Sequence, residues 1–125
     1  MEFFVTLLHC YISLSKIMDK KLENIVRHSE VSEKEIEKYL RRQCAARGLL
    51  CLKYSNPCAV GYPDRLVVIP DGKVVWVELK SRGRRPSAIQ AVRHEELRAI
   101  GHAVSVIDSR EGVDRLLDRL DDLAL

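Results

Sequence analysis

Residues 61–80 read Gly61-Tyr62-Pro63-Asp64-Arg65-Leu66-Val67-Val68-Ile69-Pro70-Asp71-Gly72-Lys73-Val74-Val75-Trp76-Val77-Glu78-Leu79-Lys80. Two β-branched runs, Leu66 to Ile69 and Val74 to Val77, flank Asp71-Gly72, a pair suited to the left-handed backbone of a tight turn. The spacing predicts two antiparallel strands joined as a hairpin. Side chains alternate along a strand, which puts Glu78 and Lys80 on one face and Leu79 on the other. The residues before them are apolar, so these charges stand at the lip of a core, where desolvation is costly unless they serve a purpose.

Upstream, Ser32 and Glu35 form a capping box that opens a helix over Glu33 to Arg47, closed by Gly48. At about 100° per residue, Ile36, Leu40 and Cys44 make its inner stripe. Glu37 lies on the flank of Leu40 and Glu35 points to solvent, which leaves Glu37, then Glu33, able to look inward. Leu49 to Tyr54 reads as a strand, and Ser55 to Tyr62 as a loop broken by Asn56-Pro57 and Gly61. Downstream of the hairpin, Ser81 to Pro86 is a basic loop. Ser87 with Gln90 makes a second capping box, opening a helix that ends near Ile100, with Ile89, Val92, Leu97 and Ile100 as its expected buried stripe. Ala103 to Ile107 reads as a fourth strand, and Val113, Leu116, Leu117, Leu120 and Leu123 mark a final amphipathic helix. The order is αβββαβ with a C-terminal helix, an α/β pattern.

A chain of 125 residues fits one domain. That domain is expected over residues 31–125, preceded by an extension, 1–30, that is either poorly ordered or marginally helical. The extension is apolar from Phe3 to Leu14, then charged, with Leu22, Ile25 and Val26 at helical spacing. It has neither the basic start nor the cleavage site of a signal peptide, and its apolar run is too short to span a bilayer. A bacterial or phage-encoded cytoplasmic protein without a membrane role is the expectation. Cys10, Cys44, Cys51 and Cys58 show no Cys-x-x-Cys spacing and fit no common zinc pattern, so they read as reduced thiols. With 21 Lys and Arg against 18 Asp and Glu, the net charge is only +3, and a nucleic-acid footprint must come from clustering. Lys80, Arg82, Arg84 and Arg85 supply one cluster, while the tail from Glu111 onward is acidic.

Pro63-Asp64, thirteen intervening residues and Glu78-Leu79-Lys80, within this element order, resemble the PD-(D/E)xK nuclease superfamily. Gly61 to Leu66, Val77 to Lys80, the basic loop, Ser87 to Gln90 and Leu97 to His102 further resemble the virus-type replication-repair nuclease (VRR-NUC) domain, over roughly residues 33–117. The resemblance implies a restriction-endonuclease-like core, a mixed sheet flanked by helices. It also implies a metal-dependent endonuclease that hydrolyses DNA phosphodiesters in replication or repair, at branched, flapped, nicked or junction structures.

Phosphodiester hydrolysis needs an activated water and relief of charge on a crowded phosphorane, which one or two Mg²⁺ ions provide. Mg²⁺ takes hard oxygen ligands and keeps several waters, so two carboxylates and a carbonyl suffice. Asp64 and Glu78 are the expected carboxylates and Leu79 the carbonyl donor; Mn²⁺ is expected to substitute. Lys80 would sit by the attacking water or the scissile phosphate as a compact positive charge. Glu37 resembles the family's N-terminal acid in the metal or water site, with Glu33 as the other choice. The resemblance places Gln90 beside the site, although the capping box already explains a glutamine there.

Lys53, Arg65, Arg82, Arg84, Arg85 and Arg93 adjoin the proposed site and are the expected phosphate contacts, which position DNA without reading its sequence. The family resemblance implies a homodimer, with the last helix either supplying its surface or only covering the sheet. Two other readings are a non-catalytic DNA-binding or interaction module on a nuclease fold, and a nuclease subunit that works only beside a helicase or repair partner.

Overall fold

The computed structural model describes residues 2–29 and 31–123 and divides the chain into two units at residue 30. The first holds one helix, α1 (Glu2–Ser29). The sequence has no glycine or proline before Gly48, and nothing in the backbone chemistry stops a helix that starts in the apolar run and continues through the charged segment. The expected stripe of Leu22, Ile25 and Val26 concerns side chains outside the described residues. No helix among the described residues is long and apolar enough to cross a membrane.

In the second unit the elements run α2 (Glu33–Ala46), β1 (Leu50–Lys53), β2 (Arg65–Ile69), β3 (Lys73–Leu79), α3 (Ala88–Ala99), β4 (Ala103–Ile107) and α4 (Arg110–Leu123). The sheet has the order β1-β2-β3-β4, antiparallel except for the parallel β3–β4 pair that α3 connects. The hairpin forms as its sequence demands, with Val68 opposite Val74 and Ile69 opposite Lys73. Pro70 joins the turn, giving a three-residue loop in which Asp71 and Gly72 both take positive φ (68° and 71°). Ser32 accepts from the Glu35 amide and Ser87 from the Gln90 amide, but only the second pair closes a full capping box: the Glu35 carboxylate turns to Arg110 at 3.3 Å instead of back to the cap.

One face of the sheet is sealed. Ile36, Leu40 and Cys44 of α2 and Val113, Leu116, Leu117 and Leu120 of α4 close over Val67, Val75, Val77, Leu79 and Ile107. The apolar side of α4 is thus spent in its own core. Tyr39 donates to Asp114 at 2.8 Å, and Arg47 binds Asp118 at 2.9 Å, tying α2 to α4 at the rim of that core. Cys44 is buried with Cys51 packed beside it, while Cys10 and Cys58 are exposed; all four are free thiols.

The other face is covered only in part. Of α3, Leu97 and His94 are buried. Ile89, Val92 and Ile100 are exposed, which corrects the expected buried stripe: α3 lies against the β4 side and turns its Gln90–His94–Leu97 edge to the sheet, so residues about a quarter turn or more away face out.

Candidate active site

The β3 register fixes the site. Arg65 pairs with Val77, so the next opposed positions are Asp64 and Glu78, on the face shared with Trp76 and α3. Asp64 is exposed, whereas Glu78 is 1% exposed. The loop before Asp64 is pinned at three points. Gly61 has a φ of 98°, and a Cβ there would meet Ile89 Cγ1 at 3.0 Å and the Ile89 carbonyl carbon at 3.2 Å, so only glycine lets the loop approach α3 this closely. Tyr54, Tyr62 and Trp76 form an aromatic cluster with ring centroids 5.1 to 6.5 Å apart. The Tyr54 amide donates to the Asp64 carbonyl at 2.7 Å.

Around Glu78 the polar groups converge. Gln90 Nε2 donates to Glu78 Oε1 at 3.1 Å, and Lys80 Nζ stands 3.5 Å from the same oxygen. The Gln90 Oε1 accepts from the Ser87 amide at 2.9 Å, so the capping box and the contact with the site coexist in one side chain. His94 Nε2 lies 3.5 Å from Glu78 Oε2, and neither atom has a hydrogen-bond partner among the described residues. Burial, then the charge of Asp64, pushes the Glu78 carboxyl up to about 7 against the opposing pull of Lys80; Glu33 adds to the rise. Burial, with the cations Arg98 and Lys80, holds the His94 imidazole below the usual histidine range. The site therefore carries a carboxyl whose burial and acidic neighbours outweigh the nearby Lys80, beside a histidine disfavoured from taking a proton.

The lysine end of β3 opens into a surface concavity of about 370 Å³ lined by Glu33, Lys80, Ser81, Arg84, Arg85 and Ser87. The loop beneath it is anchored by Lys80 N to the Ile107 carbonyl at 2.9 Å and Gly83 N to Asp108 at 3.1 Å.

The structure thus brings together Asp64, Glu78, Lys80 and Gln90 and adds Glu33 and His94. It places Glu37 elsewhere: its carboxylate binds Arg65, and Arg65, 8% exposed, points with Val67 to the sealed side of the sheet. Arg65 is accordingly withdrawn from phosphates. Arg93 is likewise occupied, donating to the Val60 carbonyl and Glu96 and lying over the Tyr62 ring, 5.0 Å from its centroid. Lys53, Arg82, Arg84 and Arg85 are exposed and form no ion pair among the described residues. His94, one turn beyond Gln90 on the same helix edge, reads in the sequence as a surface histidine that could at most contact phosphate; the structure instead buries it against Glu78.

A mixed four-stranded sheet between helices, with an acidic pair and a lysine at the end of its hairpin, defines a restriction-endonuclease-like α/β domain. A protein of Acyrthosiphon pisum secondary endosymbiont phage 1 described as "Putative nuclease p44" is 40% identical over 81 residues, 65% of this chain and 87% of that relative. A solved structure described as a VRR_NUC domain matches with a TM-score of 0.65 at 34% identity, covering 69% of this chain and 94% of the other. No family model matches. The chain belongs to the VRR-NUC domain family.

Proposed function

We propose that this protein is a Mg²⁺-dependent DNA endonuclease that selects branched, flapped, nicked or junction structures. The observation that carries the reading is the buried Glu78 carboxylate, with one oxygen unpartnered, facing Asp64 and flanked by Lys80. Among the described residues no three His, Cys, Asp or Glu side chains stand together as a ready metal cage. The donor set is instead a pair of carboxylates with a neighbouring backbone carbonyl, which suits a hard cation that keeps most of its water. Asp64, Glu78 and the Leu79 carbonyl would hold Mg²⁺, and Glu33, which lines the concavity, would complete the site in place of Glu37. Bound there, the ion lowers the pKa of a water and neutralises phosphate oxygens.

The protein's own groups do the rest. Gln90 fixes the rotamer of Glu78 through a helix end that is itself capped. Lys80, within 3.5 Å of Glu78, is held on the site side of the strand, where its charge favours an anionic transition state. Arg84 and Arg85 line the same concavity and provide phosphate contacts without base reading, which supports selection by DNA shape. A homodimer would form through the α3 side, because α4 is committed to its own core while Val92, Ile100 and Val106 are exposed large apolar residues. A second copy is the occupant that closed symmetry favours.

The test is a panel of flap, nicked, four-way and linear DNA with Mg²⁺ or Mn²⁺. Cleavage of the branched members, abolished in Lys80→Ala, is the expected result. Intact substrates with the wild-type protein, or undiminished cutting by Lys80→Ala, would refute the assignment.

A further inference from the structure

The cations of the second unit fall into two populations. Arg47, Arg65, Arg93, Arg98 and Arg110 each face a carboxylate. On α2, by contrast, Lys34, Lys38, Arg41 and Arg42 are exposed and form no ion pair among the described residues. They share the side opposite the buried Ile36–Leu40–Cys44 stripe, and from Lys38 to the helix end no acid interrupts them. Arg115 and Arg119 of α4 are also exposed, but they alternate with Asp114, Asp118, Asp121 and Asp122. An ordinary solvated face has the mixed pattern of α4, whereas α2 from Lys38 onward carries one sign, its acids Glu33, Glu35 and Glu37 lying before that point.

This face is not convex throughout. Lys38, Arg41 and Arg42 wall an open groove of about 490 Å³ whose other side is Leu50, Cys51 and Leu52 of β1. β1 is the edge strand of the sheet, so among the described residues no strand pairs beyond it. The helix connects this groove to the site: Glu33, in its first turn, lines the concavity with Lys80, Arg84 and Arg85. At about 1.5 Å per residue, Lys34 to Arg42 spans about 12 Å, the reach of a few phosphates along one strand.

We propose that the groove between the outer face of α2 and the β1 edge is a second nucleic-acid contact surface, holding the sugar–phosphate backbone of a substrate arm that leads away from the scissile position. The assignment rests on the nuclease reading above. Cationic walls meet the phosphates, and the opposite wall is the β1 edge itself, with Cys51 the strand residue on the α2 side and Leu50 and Leu52 paired with Val68 and Leu66 on the other face of the sheet. A branched substrate would then be gripped at two places, the Arg84–Arg85 loop and α2, which are separated along the protein as two arms are separated along the DNA.

Binding separates this inference from the reading beneath it. Anisotropy of a labelled flap duplex is titrated with protein in EDTA, where no metal-dependent cleavage occurs, at several salt concentrations. Each phosphate that a variant no longer neutralises makes the slope of log K against log salt shallower by about 0.9. The triple variant Lys38→Ala/Arg41→Ala/Arg42→Ala is expected to bind at least about tenfold more weakly at moderate salt, with its slope reduced by about two to three. Alanine at exposed helix positions preserves folding, which circular dichroism checks. Arg115→Ala/Arg119→Ala is expected to bind as the wild type does. If the wild type binds and the triple variant keeps its slope and affinity, the groove assignment is overturned while the nuclease reading stands. If the wild type fails to bind any flap duplex, the nuclease reading falls and takes the groove with it.

Discussion

The two faces of the sheet are built from alternate residues of the same strands, yet they do opposite work. On β3, Val75, Val77 and Leu79 enter a core closed by two helices, while Trp76 and Glu78 face α3, which leaves much of its side open. The sealed face contains a charged pair, Arg65 with Glu37, in which each group neutralises the other. The open face contains Glu78, buried with an unpartnered oxygen and under the repulsion of Asp64. Among the described residues the open face leaves Trp76 Nε1, Glu78 Oε2 and His94 Nε2 buried without a hydrogen-bond partner, against Arg47 Nη1 alone at the rim of the sealed side.

The comparison can be broken most directly at Glu78. Glu78→Gln is expected to lower cleavage by about a thousandfold or more, measured as single-turnover rate on a flap substrate, because the metal and the charge pattern depend on a carboxylate. Its unfolding free energy at pH 8 should nevertheless rise, because the variant buries no charge. Next in size is the sealed face. Leu40→Ala should cost about 2–5 kcal/mol in urea unfolding, through reduced burial plus a cavity, and leave the cleavage rate of the remaining folded protein unchanged. A comparable rate loss would mean that the two faces are not independent.

A third effect is the pH dependence of the metal-free protein. A carboxyl whose folded pKa is raised to about 7 contributes stability that is fully present below the unfolded value, near 4.5, and is lost as pH rises through 7. The shift corresponds to at most about 3–4 kcal/mol, at 1.36 kcal/mol per pKa unit. Urea midpoints should therefore fall between pH 5 and pH 8 in the wild type and fall less in Glu78→Gln. Mg²⁺ should narrow the difference in the wild type. The smallest effect is expected at the exposed edge of α3: Val92→Ser and Ile100→Ser should change stability by less than about 0.5 kcal/mol. If the α3 side holds a second copy, these variants shift the mass in solution toward monomer.

What can be read from the sequence is what local chemistry decides. The hairpin follows from Asp71-Gly72 between two β-branched runs, the helix starts from Ser32 and Ser87, and the core side of α2 from Ile36, Leu40 and Cys44. The Asp64, Glu78 and Lys80 grouping is legible because strand alternation is a short-range rule. The buried stripe of α3 is not, because apolar spacing does not say how much of a helix its neighbours cover; the structure leaves Val92 and Ile100 in the open. The fate of Glu37 depends on Arg65, a partner 28 positions away in sequence that only the fold brings near. Glu33 is more accessible to reasoning, since it precedes Ile36 by three and so continues the 36–40–44 stripe to the helix end.

Gln90 carries the longest consequence. Its amide is divided between two duties, the oxygen accepting from the Ser87 backbone and the nitrogen donating to Glu78. Glutamate could keep the first bond, but it has no donor for the second and would add a negative charge against Glu78. Asparagine has both groups on a shorter reach. The position therefore has almost no chemical freedom, and the orientation of the Glu78 carboxylate is linked to the fraying of a helix end. Fraying of the first turn of α3 is therefore expected to release the Glu78 carboxylate while the sealed core stays folded.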